Sequence, residues 1–132
     1  MKQITVETHR KMEMINITRK VEDALREQSF SDGFVYLWCP HTTAGLTVNE
    51  GADPDVATDI ISALQRLVPD GGYDHAEGNS PAHVMSTLTG QSLMLRAEGG
   101  KIVLWGRWQQ VFFCEFDGSR TRKVLFKTVS EA

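Results

Sequence analysis

The chain has 132 residues, a formal net charge of −3 and a hydrophobic fraction of 41%. A chain of this length can bury a core without disulfides, so we expect a single domain spanning residues 1–132. The acidic balance argues against nucleic acid as a partner, because such binding normally draws on an excess of Lys and Arg. No apolar stretch has the length of a signal peptide or of a membrane span, so we expect a cytoplasmic protein with no membrane partner.

The N-terminal third predicts two strands and a helix. Residues 2–8 alternate as a strand, and residues 12–17 follow at hairpin distance. A short helix begins at Thr18. Its predicted buried face carries Ile17, Val21 and Leu25.

The middle of the chain predicts two more strands followed by a longer helix. Residues 34–39 and 46–50 have strand composition, which places His41 at a strand end. Asp53 is expected to cap a helix that runs to Pro69, because Pro and an acid follow it in the first turn. The predicted inner face of this helix carries Val56, Ile60, Leu64 and Leu67.

The C-terminal half predicts one helix and a series of antiparallel strands. Ser80 and Pro81 start a helix over residues 81–89. Strands are predicted at 92–96, 101–106, 108–116 and 122–129, with turns at Gly99-Gly100 and Asp117-Gly118. The fold class is therefore α+β, with antiparallel β-sandwich-like sheets and two to three short helices.

Two cysteines and two tryptophans are expected to be buried in the core and not to take part in catalysis or binding. Cys39 and Cys114 lie in apolar runs without C-x-x-C spacing, which is typical of buried thiols, although a disulfide stays possible. Trp105 and Trp108 are expected to be core aromatics, with stacking on a planar substrate as the alternative.

Three histidines point to a divalent metal. His41, His75 and His83 lie in polar, turn-rich segments at element ends, where side chains can converge on a cleft. Their spacing matches no zincin helix or zinc finger, so a surface role for each one stays open. Zn²⁺ is the expected ion, with Ni²⁺, Co²⁺ or Mg²⁺ as alternatives.

The segment EFDGSRTR supplies Glu115, Arg120 and Arg122 around a turn. Arginine offers a planar fork to phosphate, so Arg120 is a candidate for holding an anionic substrate, and strand parity allows Arg122 to face the same cleft. The alternative is a structural hairpin with cross-strand Glu–Arg pairing.

Glu50 is a candidate general base in the segment NEGADPD, because Asp53 already has a capping role. The predicted catalytic residues are thus Glu50, Glu115 and Arg120.

The motifs HTTAGLTVNEGADPDV, YDHAEGNSPAH and WGRWQQVFFCEFDGSRTR make the chain resemble the YjbQ-like family. That resemblance implies a β-rich α+β sandwich, a homotrimer and a metal pocket fed by His41, His75 and His83. Asn79 and Gln109, together with Arg120, fall on family motif positions and are predicted to bind substrate.

The same resemblance implies a secondary thiamine-phosphate synthase activity. This reaction joins a pyrimidine diphosphate to a thiazole phosphate and releases pyrophosphate. We therefore expect a metal-dependent enzyme that acts on a small phosphorylated molecule. A non-catalytic sensor that binds metal and a metabolite in the same pocket is the alternative, and a trimer with purely structural histidines is a third.

Overall fold

The architecture was obtained as a computed structural model, which describes residues 1–131. The elements in chain order are β1 (Lys2–Glu7), β2 (Glu13–Asn16), α1 (Thr18–Glu27), β3 (Gly33–Trp38), β4 (Ala44–Glu50), α2 (Pro54–Leu67), α3 (Ser80–Thr89), β5 (Ser92–Glu98), β6 (Lys101–Val103), β7 (Gln109–Glu115) and β8 (Thr121–Ser130).

The strands form two antiparallel sheets. The larger has the order β1-β8-β3-β5-β6 and the smaller the order β2-β7-β4. With three helices beside them, the predicted α+β class with two antiparallel sheets is confirmed.

Chain neighbours rarely pair with each other. β1 pairs with β8 and β2 pairs with β7, so the hairpin expected over residues 2–17 is absent from the described structure. The Asp117-Gly118 turn likewise carries the chain from β7 in the small sheet to β8 in the large one. These short turns therefore carry the chain from one sheet to the other. Within residues 1–131, β5 and β6 are the one pair that forms a predicted hairpin, at Gly99-Gly100.

The helices follow their predicted starts. Ile17, Val21 and Leu25 are fully buried, as expected for the inner face of α1. The Asp53 side chain accepts a hydrogen bond from the Asp55 N–H at 2.9 Å, which confirms the predicted cap of α2. Leu67 departs from expectation, with 69% of its surface exposed, because the chain leaves the helix there and Val68 turns inward instead.

Cys39 lies in the core between the sheets, whereas Cys114 lies in a second cluster between the small sheet and the helices α2 and α3. Both are free, buried thiols. Burial raises the pKa of Cys114 to about 12, so this thiol stays protonated at neutral pH. Trp105 and Trp108 are not core residues, with 80% and 53% of their surfaces exposed. They follow β6, which ends at Val103 and not at the expected residue 106, so they belong to an exposed connection.

No helix within residues 1–131 is long and apolar enough to cross a membrane.

Candidate functional site

A groove of about 610 Å³ lies between the end of β3 and the helix α3. It brings together His41, from the link between β3 and β4, and His83, from the first turns of α3. The other lining residues are Trp38, Cys39, Pro40, Thr42, Ser86, Thr87 and Gln91. Two of the three predicted metal-binding histidines therefore line one groove.

The third histidine, His75, packs directly against His83. Their ring centroids are 5.4 Å apart and the ring planes meet at 84°. Two imidazoles that bind one tetrahedral zinc ion through nitrogens at about 2.0 Å have centroids roughly 5 Å apart. The spacing of this pair thus fits a shared metal ion.

His41 has a different environment. Its Nε2 accepts a hydrogen bond from the backbone N–H of Lys123 at 3.0 Å, so in the neutral ring the proton lies on Nδ1. Burial, followed by the charge of Arg122, lowers the pKa of His41. At neutral pH His41 is therefore a neutral imidazole with a hydrogen to donate.

The three histidines are not arranged as a complete set of ligands for one metal ion. Within residues 1–131, no group of three or more His, Cys, Asp or Glu side chains is arranged to hold a metal ion. The residues present fit a metal as a His75–His83 pair, whereas the Nε2 of His41 is already engaged.

The floor of the groove is a polar pair that sequence analysis did not single out. Ser86 is buried and donates to the carbonyl oxygen of Ala44 at 2.7 Å, and the Gln91 amide donates to the Ser86 hydroxyl at 2.8 Å. Among the described residues, Gln91 Oε1 has no hydrogen-bond partner although it is buried. It is an acceptor available beside the groove, and neither Ser nor Gln carries a motif that would have revealed it.

Glu115 is fully buried and makes an ion pair with Arg122. Thr8 donates to Glu115 Oε1 at 2.7 Å, and the Asp117 N–H donates to Oε2 at 3.1 Å. Burial alone would raise the pKa of Glu115, but the hydrogen bonds from Arg122, Thr8 and Asp117 together lower it. The carboxylate is ionised and enclosed, so its contacts are those of a structural anion and not of a proton carrier.

Arg120 lies just before β8 and is exposed, unlike Arg122. Its Nε donates to the Asp117 carbonyl at 2.7 Å and its Nη2 to the Asp117 carboxylate at 2.9 Å. Asn79 donates to the same carboxylate oxygen at 3.1 Å, while Asn79 Oδ1 is buried and lacks a partner within residues 1–131. A chain of contacts thus fixes one edge of the Arg120 guanidinium group.

Helix α3 separates these polar groups into two cavities. His83 lines the groove already described, whereas Asn79 and Asp117 line a cavity of about 580 Å³ that also contacts Pro81 and Met85 of α3. The predicted substrate-binding residue Asn79 is therefore close in the chain to the metal pair but borders a different cavity.

Glu50 and Gln109 are not brought to the histidines within one chain. They pair with each other at the end of the small sheet, whereas Ala44, near His41, pairs with Glu115 at the other end. Six residue steps along a strand separate the two ends by roughly 20 Å. Glu50 accepts hydrogen bonds from the N–H groups of Ala52 and Asp53, and Gln109 accepts one from Gly106, so both support local turns.

The chain is thus an α+β protein with two antiparallel sheets and a histidine-lined groove at one end. The family model described as "UPF0047 protein YjbQ-like" matches residues 2–131, and the chain belongs to this family.

Relatives match nearly the whole length of the chain. The UPF0047 protein YugU of Bacillus subtilis (strain 168) is 43% identical over 129 residues, which cover 96% of this chain and 97% of the relative. A solved structure of an uncharacterised YjbQ/UPF0047 protein from Clostridium acetobutylicum has a TM-score of 0.91 and 45% identity, covering 98% of this chain and 100% of that one. A conserved hypothetical protein from Thermus thermophilus has the same TM-score and coverage at 50% identity.

Proposed function

We propose that the protein is a metal-dependent enzyme that acts on a small phosphorylated substrate in the groove between β3 and α3. The observation that carries this proposal is the edge-to-face contact of His75 and His83 beside a groove that also contains His41. Three imidazoles in or beside one groove favour a shared divalent ion over three independent surface roles.

In this proposal His75 and His83 hold the ion, which we expect to be Zn²⁺, with Ni²⁺, Co²⁺ or Mg²⁺ as alternatives. A bound divalent ion would polarise a phosphate oxygen. His41 either completes the ligand set through a rotated ring or donates the hydrogen on Nδ1 to the substrate. The lowered pKa of His41 keeps the ring neutral at pH 7, which suits both roles, whereas the Lys123 hydrogen bond to Nε2 favours the second.

The substrate-binding roles are assigned to Arg120 and Asn79. Arg120 keeps one edge of its guanidinium group bound to Asp117, which leaves its remaining N–H donors for a phosphate. Asn79 Oδ1 is an acceptor without a partner within residues 1–131, but it borders the cavity on the other side of α3, so in this proposal it contacts the substrate where the substrate extends beyond the histidine groove. Glu115 supports the site by fixing Arg122 and Thr8, a positioning role in place of the predicted proton transfer.

Glu50 and Gln109 can act on this groove only if a neighbouring subunit supplies them. We therefore propose the homotrimer as part of the same function. The outer face of the large sheet supports an assembly, because four large apolar side chains on it are exposed. They are Phe34, Trp38, Met94 and Val129. Strand register places Met94 opposite Tyr36, and Val129 opposite Phe34, so these side chains share the outer face, which also carries Arg96 and Lys127.

The finer activity, a thiamine-phosphate synthase-like transfer with release of pyrophosphate, is proposed as a side activity of this site. The alternative function is a sensor that binds the metal and a metabolite without turnover. The same groove would serve both, because recognition of a phosphorylated molecule needs the same charged side chains.

The proposal is tested by metal analysis of protein purified without a histidine tag, followed by Zn²⁺ calorimetry on metal-stripped samples. We expect His75→Ala and His83→Ala each to weaken Zn²⁺ binding by about 100-fold, because each removes a direct ligand and loss of a supporting contact alone costs about 10 to 100-fold. His9→Ala, on an exposed segment, is the matched control. Equal Zn²⁺ affinity in all three variants would contradict the metal assignment.

Turnover is then assayed with phosphorylated compounds, including thiamine phosphate precursors, in the presence and absence of the metal. Metal-dependent product formation supports the enzyme. Saturable binding without product supports the sensor.

A further inference from the structure

A second groove, of about 480 Å³, lies between α1 and the connection from β6 to β7. Its walls come from one side of α1, from β6 and from the segment after it. Gln109, at the start of β7, lines this groove, whereas the histidine groove lies beyond Glu115 at the other end of that strand. The two grooves are therefore at opposite ends of the small sheet.

Basic side chains dominate the second groove. Arg19, Arg26, Lys101 and Arg107 line it, and Glu22 is its single acid. Arg26 is neutralised by an ion pair with Asp23. Within residues 1–131, no carboxylate lies within ion-pairing distance of the charged groups of Arg19, Lys101 or Arg107. Three free cations against one acid leave the groove with a net charge of about +2 in a protein whose net charge is −3.

The single acid is already engaged in holding the wall of the groove. Glu22 accepts a hydrogen bond from the backbone N–H of Ile102 at 3.0 Å, which ties α1 to β6. Its carboxylate therefore has a structural contact and does not pair with the neighbouring cations.

Arg107 is held in place at this groove by an aromatic contact. Its guanidinium carbon lies 4.6 Å from the centroid of the Trp108 ring. Stacking of this kind leaves the N–H groups at the edge of the guanidinium plane free for an anion. This contact also gives exposed Trp108 a role that the core prediction did not foresee.

We propose that this basic groove between α1 and the β6–β7 connection binds the phosphate group of a small phosphorylated molecule. A phosphate monoester carries about −1.5 to −2 at neutral pH, which balances the excess charge of the groove. Arg19 and Arg107 offer planar forks to its oxygens and Lys101 offers a compact charge. Within one chain the site is separate from the histidine groove, and its existence does not depend on the proposed function.

The test is a titration of metal-stripped, isotope-labelled protein with inorganic phosphate and, in parallel, with ribose 5-phosphate, followed by amide chemical shifts. We expect saturable shifts of the Ile102 and Gly106 amides. The double variant Arg19→Ala/Lys101→Ala should weaken this binding by about tenfold or more, because two charge-assisted contacts are lost.

The matched control is Lys20→Ala/Lys127→Ala, which removes the same charge from exposed positions outside the groove. It should change the affinity by less than about twofold, a general charge effect. Equal weakening in both double variants would overturn the inference, as would an absence of shifts at Ile102 and Gly106.

A third variant separates this inference from the proposed function. Arg120→Ala should leave the shifts of Ile102 and Gly106 unchanged. If it abolishes phosphate binding while Arg19→Ala/Lys101→Ala does not, the phosphate binds at Arg120 and the second groove has no such role. Tighter binding of ribose 5-phosphate than of inorganic phosphate would identify an organic ester as the ligand, and equal binding would identify the phosphate group alone.

Discussion

Arg122 and Glu115 form a buried ion pair that joins the two sheets next to His41. Glu115 ends β7 in the small sheet, and Arg122 lies in β8 of the large sheet. The Arg122 Nε donates to Glu115 Oε1 at 2.8 Å, and its Nη2 donates to Oε2 and to the Thr43 hydroxyl. Because Thr43 precedes β4 and follows His41 by two residues, the pair fixes the backbone that carries His41.

Loss of one member of this pair should destabilise the fold strongly. Glu115→Gln leaves the Arg122 charge buried without a partner, which typically costs about 3–5 kcal/mol. Glu131→Gln breaks an exposed pair with Arg96 and should have little effect, since water screens that contact. Urea unfolding of the two variants measures the difference, and similar losses would show that the buried pair has no special role.

His41 should make stability depend on pH. Because its pKa in the folded protein is below the ordinary value of 6.5, the unfolded chain binds a proton more readily than the native one. Stability from this group is thus present above pH 6.5 and is lost as the pH falls through the folded pKa. We expect unfolding free energy, measured in EDTA from pH 7.5 to 5, to decline more steeply in wild type than in His41→Gln. A His41→Gln profile parallel to wild type would contradict this expectation.

The parts of the fold governed by local sequence could be predicted, and those governed by long-range pairing could not. The inner face of α1 and the Asp53 cap depend on residues within one or two turns, and both are confirmed. The Asp117-Gly118 turn reads locally as a hairpin, yet β7 and β8 belong to different sheets. Turn chemistry specifies a reversal of direction, but partners on distant strands decide which sheet the chain joins.

The same limit explains the mixed outcome at the site. His75 and His83 are eight positions apart on a loop and a helix start, so their contact could be expected from the sequence. Glu50 and Glu115 looked equivalent as candidate acids, but they lie at opposite ends of the small sheet. Strand alternation predicted that Arg120 and Arg122 face the same side, but Arg120 is exposed and Arg122 is buried. Alternation applies only inside a strand, and β8 begins at Thr121, after Arg120.

If other copies of the chain cover the outer apolar face, the mass of the protein in solution should be that of a trimer. We expect light scattering coupled to size exclusion to give about 44 kDa, three chains of 14.8 kDa. Met94→Lys places a charge on that face and should shift the protein toward monomer. Leu67→Lys is a matched control, because Leu67 is equally exposed at 69% but lies at the end of α2. A monomeric wild type, or dissociation by Leu67→Lys alone, would exclude assembly through this face.

Arg120 is expected to bind phosphate through geometry as much as through charge. Two of its N–H groups are bound to Asp117, so the orientation of the guanidinium plane is fixed before a ligand arrives. Lysine can supply the charge but neither the fork nor both contacts to Asp117. Arg120→Lys should therefore lose nearly as much affinity as Arg120→Ala, about tenfold or more for one charge-assisted bidentate contact.

Calorimetry with pyrophosphate and thiamine phosphate measures this, with zinc loaded and its content checked in each sample. The comparison is made in the Arg19→Ala/Lys101→Ala background, so that the contribution of the second groove is reduced. Full affinity in Arg120→Lys would reduce Arg120 to a point charge, and full affinity in Arg120→Ala would assign it to the Asp117 contact alone.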